Sequence, residues 1–153
     1  ANGSAFDPAT ALPWEPAGLR LRRPSAIERT ALRDAMTGQA EAGLNTTIGV
    51  IATSCALDKA ECSKLASVGH DGLARAIRPA HAMTDGDTIF TLATGDVELP
   101  APGEPERVAA LNVLLQSGAD VFAAACTHAV VSATTIGESP AWRDICLSAL
   151  PSC

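Results

Sequence analysis

Aromatic side chains are scarce in this chain of 153 residues: they make up 3%, with three phenylalanines, two tryptophans and no tyrosine. With so few rings, packing rests on alanine and the aliphatic residues. Such cores suit helices and sheets that approach one another closely. Lysine is nearly absent too, with Lys59 and Lys64 alone, and the formal charge is −6. A phosphate backbone needs a basic surface, so nucleic acid is excluded as a partner. Arg20, Arg22, Arg23, Arg29 and Arg33 form a basic patch that reads as a solvated linker. No apolar run reads as long enough to span a bilayer, since Cys126, Thr127 and His128 interrupt the stretch Val121–Val131. The start ANGSAFDP has no basic region followed by an apolar one, so no signal peptide is visible, and it reads like the middle of a domain. An upstream portion is therefore expected. Cys55, Cys62, Cys126, Cys146 and Cys153 form no CxxC pair and no finger spacing with the three histidines. Reduced thiols, a cytoplasmic location, and neither a structural metal nor a cofactor are the expectation.

The hydrophobic share of 47% supports one modest core. Pro8, Pro13 and Pro16 forbid a long helix before residue 24, and Leu19 to Arg23 reads as a short extended piece. Ser25 and Glu28 have capping-box spacing, which predicts a short helix over AIERTALRDAM, followed by the flexible TGQAEAGLN. Thr46 to Thr53 is apolar and β-branched and reads as a strand buried on both faces. Asp58 to about Ile77 reads as a helix with an apolar stripe through Ala60, Leu65, Val68, Leu73 and Ile77. Gly69 and Gly72 weaken it by about 1 kcal/mol each against alanine, which suggests that a close contact needs them. After Pro79 and the loop HAMTDGD, Thr88–Thr94 reads as a second buried strand that Gly95 stops. A long apolar helix from about Glu106 to Ser132, bent near Gly118, and a tail draped over the surface complete the reading. The order is that of a layered α/β unit whose sheet requires further strands.

Chemistry enters at Asn45-Thr46, where the loop Ala42-Gly43-Leu44-Asn45 delivers a hydroxyl to the first residue of a rigid strand. A hydroxyl so placed can attack the preceding carbonyl. The acyl shift frees an α-amine with a reference pKa of about 8, and hydrolysis of the resulting ester frees the hydroxyl, for which that amine can then serve as general base. Threonines that open strands are ordinary, so this junction alone decides nothing. Asp85-Gly86-Asp87 stands just before the second strand and has a plain reading as a turn. It lacks the further acidic spacing of a calcium loop. Its sharper reading sets both carboxylates beside Thr46, to orient the ammonium and hydroxyl and to carry protons to the leaving amine. His70 reads as structural, His81 as a neighbour supporting the site, and His128 as a core or interface residue. A Cys55 nucleophile paired with His70 or His81 has no local signature.

Taken in order, NTTIGVIAT, HDGLARAIRPAH and DGDTIFTLATG resemble peptidase family S58, the L-aminopeptidase/D-esterase family that includes β-peptidyl aminopeptidases and the nylon-oligomer hydrolase. The likeness runs from about Phe6 to the long helix. It implies a four-layer αββα sandwich of N-terminal-nucleophile type, with this chain as its C-terminal part. Residues 1–45 would then end the α portion, and residues 46–153 would form the β portion after autocleavage at Asn45-Thr46. It also implies Thr46 as nucleophile with Asp85 and Asp87 beside it, Asp85 belonging to the threonine branch. The family's oxyanion asparagine falls by this likeness near or before Ala1, which makes Asn2 a weak candidate, and the family's lysine and tyrosine lie further upstream. The implied activity is hydrolysis of N-terminal peptide bonds or small amides and esters. The implied partners are the upstream portion and a small peptide or amide substrate. The long apolar helix at Val108–Val131 separately suggests further copies of the chain. No membrane partner is expected, from the lack of a bilayer-length apolar run. An amidase of nylon-oligomer or pantetheine-hydrolase type, and a processed relative that only binds, are the alternatives.

Overall fold

The computed structural model describes residues 3–38 and 46–151. Its elements are α1 (Ala26–Gly38), β1 (Ile48–Cys55), α2 (Lys59–Ala76), β2 (Thr88–Val97), α3 (Pro105–Ser132), α4 (Trp142–Ile145) and a 3-10 turn at Leu147–Ala149. The local signals set these bounds. The Ser25 N–H donates to Glu28 Oε2 at 2.7 Å and the Glu28 N–H donates to Ser25 Oγ at 3.3 Å, which starts α1. Asp58 and Glu61 form the same box at the start of α2, and Pro105 sits where α3 has no use for an N–H.

The strands β1 and β2 run parallel, with Ile48 opposite Thr88 and Thr53 opposite Ala93. The chain returns between them through α2, as parallel pairing requires. Gly95 does not stop β2. At φ +80° it allows a bulge, after which Cys55 pairs with Val97.

One face of this pair packs on the helices. Ile51 and Ile89 meet Leu65, Leu73 and Phe122 in a buried cluster. Small residues set the spacing. A Cβ on Gly72 would lie 2.3 Å from the Ala119 carbonyl oxygen, so α2 and α3 cross backbone to backbone. Gly72→Ala is expected to destabilise the full-length protein by about 2 kcal/mol, because overpacking against backbone outweighs the helix-propensity gain of about 1 kcal/mol. A urea midpoint equal to or above wild type would contradict this contact.

The opposite face corrects the expectation of strands buried on both sides: Ile48 is 72% exposed, Val50 59%, Phe90 54% and Leu92 57%. Two strands suffice to bury only the face that their own helices cover.

A second cluster corrects the expectation of a draped tail and of one core. Trp142 and Cys146 are buried against Ala11, Leu32 and Val131. Trp142 stacks on Phe6 with ring centroids 5.4 Å apart, and its indole N–H donates to the Ala11 carbonyl at 2.7 Å. An indole with a partner for its N–H can be buried, which is why the tail folds inward. Helix α3 joins both clusters through Phe122 and Val131, and its Thr127 donates to the Glu15 carbonyl at 2.8 Å. The extended piece expected at Leu19–Arg23 forms no strand, although the Arg22 N–H donates to the Ala149 carbonyl.

By length and composition α3 does reach the size of a membrane-crossing helix, against the expectation from its interruptions. Its Gly118, Ala119, Phe122 and Ala123 are buried, and His128, expected in a core or interface, is exposed.

Candidate active site

Thr46 stands two residues ahead of β1, and its position is fixed through its neighbour. The Thr47 carbonyl accepts from the Thr88 N–H at 2.8 Å, so the ladder to β2 begins there. The Thr47 N–H donates to Asp87 Oδ1 at 2.9 Å. A Cβ on Gly86 would lie 2.8 Å from Thr46 Oγ1. The hydroxyl therefore lies over the bare Cα of the central residue in Asp85-Gly86-Asp87, where a methyl group would press on it. The two features singled out in the sequence, 40 residues apart along the chain, form one site at the mouth of the parallel pair.

The carboxylates differ in their surroundings. Asp85 closes its own loop: its N–H donates to the Ala82 carbonyl, and its Oδ2 accepts from the Ala82 N–H at 2.8 Å. That is the turn role its sequence context offered. The Asp87 side chain is 2% exposed. Burial pushes its carboxyl up, but the hydrogen bonds from Thr47 and the charge of His81 outweigh burial and leave it below the ordinary aspartate value. At neutral pH Asp87 is thus a carboxylate, suited to accept hydrogen bonds and to face a cation rather than to donate a proton.

His81 Nδ1 lies 3.1 Å from Asp87 Oδ2. Its backbone is left-handed at φ +60°, and its ring meets that of His70 with centroids 4.9 Å apart. Nothing in HAMTDGD signals the positive φ, and a histidine in mid-helix gives no sign of what its ring will touch. Cys55 ends β1, about 23 Å from its start at roughly 3.3 Å per residue, so the strand holds it away from His81. The Cys126 thiol is pushed up, mainly by burial with the Asp87 charge adding to it, so it is no thiolate nucleophile. Among the described residues no three His, Cys, Asp or Glu side chains gather to hold a metal ion. Asn2 and Asn45 lie outside the described residues.

Beside Thr46 a groove of about 390 Å³ runs along the free edge of β1, between Thr47–Ala52 and α3. Phe122, Ala125, Cys126 and Ala129 form its helical wall. It is apolar, and its lining begins at Thr47, the residue after Thr46.

The model of peptidase family S58 matches residues 18–140. The chain belongs to peptidase family S58. It is similar to an uncharacterized aminopeptidase of Mycobacterium tuberculosis, at 41% identity over 95% of this chain and 45% of the relative. An uncharacterized aminopeptidase of Mycobacterium leprae matches at 37% over 92% of this chain and 40% of the relative. A 6-aminohexanoate-oligomer endohydrolase of Paenarthrobacter ureafaciens matches at 33% over 60% of this chain and 26% of the relative. The chain spans less than half the length of these relatives.

Proposed function

We propose that this chain carries the nucleophile half of a self-processing hydrolase that cuts N-terminal peptide bonds or small amides and esters. The observation behind this reading is the packing of the Thr46 hydroxyl on Gly86, between the two aspartates. In the first reaction, Thr46 Oγ attacks the Asn45 carbonyl, the Asn45-Thr46 amide becomes an ester, and water hydrolyses that ester. Thr46 is left with a free amine. In turnover that amine takes the hydroxyl proton as Oγ attacks the substrate carbonyl, the proton passes to the leaving amine, and water then hydrolyses the acyl ester on Oγ to release the acid and restore the hydroxyl. Asp87, ionised, faces the ammonium formed on the way, and Asp85 holds the loop that presents Gly86.

The exposed ridge Ile48, Val50, Phe90 and Leu92 supports the larger architecture proposed with it. In a four-layer αββα sandwich a second sheet, from the upstream portion, covers that ridge. The oxyanion donors belong to the same portion; each such donor is typically worth about 3–4 kcal/mol of barrier, so the reaction needs both portions. Kinship to proteins named for 6-aminohexanoate oligomers extends the substrate class to unbranched synthetic amides, and the apolar groove beside Thr46 suits a methylene chain.

The test is the intact mass of the full-length protein produced under native conditions. Two chains are expected, the second beginning at Thr46. A single uncut chain after prolonged native incubation would defeat the reading.

A further inference from the structure

We propose that His81 is a positioning residue for Asp87, holding charge against its inner oxygen while leaving that oxygen's hydrogen-bonding capacity for the amine of Thr46. The inference rests on the function proposed above, and it assigns a task to a side chain that does not touch the threonine.

Asp87 has two oxygens in different circumstances. Oδ1 is occupied by the Thr47 N–H at 2.9 Å. Oδ2 is buried and accepts no hydrogen bond, although His81 Nδ1 is 3.1 Å away. The ring is near enough for a charge interaction and is angled away from a hydrogen bond. A buried carboxylate oxygen without a donor is costly unless a cation stands by. When protonated, the imidazole meets that need and leaves the lone pairs of Oδ2 open to a second donor. The Thr46 nitrogen, next to Thr47 and Gly86, becomes such a donor when it is protonated as the Asn45-Thr46 amide gives way to the ester.

The ring's placement is not casual. A histidine in the left-handed region is conformationally disfavoured, and the fold holds His81 there at φ +60°. From α2, His70 meets the ring at 4.9 Å between centroids. Among the described residues, the titratable groups shown to meet His81 or to sense Asp87 are His70 from α2 and Cys126 from α3, beside the His81–Asp87 pair itself. Of these only His81 and His70 can bring positive charge, and only His81 pairs with the carboxylate.

The experiment uses the full-length protein with His81→Asn. Asparagine tolerates the left-handed backbone and keeps a polar group, but it cannot be charged. His70→Phe, which preserves a ring contact, is the companion variant. Two readings are taken: the titration of Asp87, by NMR of ¹³C-labelled aspartate carboxyls, and the rate of self-cleavage against pH. In His81→Asn the Asp87 titration is expected to move up by about half a unit to one unit, since an opposite charge has been removed. Self-cleavage is expected to slow about tenfold, the loss typical when a partner that orients a reacting group is removed, and its acid limb is expected to move up with Asp87. His70→Phe is expected to leave the titration in place. An unmoved Asp87 titration in His81→Asn overturns the proposal. So does a moved titration with an unchanged cleavage rate, because His81 would then serve the carboxylate and not the reaction. A wild-type protein that never cleaves defeats the self-processing reading instead, and the Asp87 titration still shows whether the charge coupling exists.

Discussion

Thr46→Ala in the full-length protein is expected to yield one uncut chain and to lower turnover by about 10⁵-fold, the scale on which removing a catalytic nucleophile acts. The effect should be chemical and not structural. The bonds that place this residue belong to the backbone of its neighbour: the Thr47 N–H to Asp87 and the Thr88 N–H to the Thr47 carbonyl. Neither uses the Thr46 side chain. Alanine adds no atom at this position, so no clash replaces the lost group. The unfolding midpoint should therefore stay within about 0.5 kcal/mol of an uncut reference, the range of surface substitutions. Thr46→Ser keeps the oxygen and should still cleave itself. Thr46→Ala cut at Asn45-Thr46, or retaining turnover, would show that another nucleophile acts. A protein serving only as a binding module would retain its partner in either variant.

Much of this site was readable in the residues. The junction before an apolar β-branched run and the Asp-Gly-Asp turn before the next one place a hydroxyl and two carboxylates at the same ends of parallel strands, given a helix between them. The Ser25–Glu28 box marks the start of α1 from its spacing alone, although Ser148 of the tail also donates to Glu28 in the fold. The features that escaped depend on distant or conformational terms. The inward fold of the tail turns on Trp142 finding Phe6 and the Ala11 carbonyl, more than 130 residues back, for which no local pattern exists. Gly95 reads as a breaker because propensity penalises glycine in strands, whereas its positive φ is what lets β2 bulge and go on. The apolar runs at Ile48–Val50 and Phe90–Leu92 suggested two buried faces, yet burial needs a covering layer, and α2 and α3 cover one face only. His81 was placed near the site by its position in HAMTDGD, but its pairing with Asp87 follows from a left-handed backbone that the letters do not encode.

Asp87→Asn is expected to lower both self-cleavage and turnover by about 10²–10³-fold, or about 3–4 kcal/mol of barrier, the scale of a preorganised electrostatic group. Asparagine is the informative replacement because it separates charge from structure. Its amide oxygen can still accept the Thr47 N–H, which keeps the mouth of β1 closed on the turn, while the negative charge facing the Thr46 amine is gone. A pH dependence follows with a definite sign. The folded carboxyl lies below its ordinary value, so its ionised form stabilises the fold above the unfolded aspartate pKa of about 3.9, and that contribution is lost as pH falls through the folded value. Wild type should therefore lose stability on acidification below about pH 4 more steeply than Asp87→Asn does. If the variant keeps its rates within about threefold of wild type, Asp87 is a structural turn residue and the charge facing Thr46 must come from elsewhere. If instead the rates fall and the two stability curves run parallel in acid, the carboxylate acts in the reaction but is not held ionised by the fold.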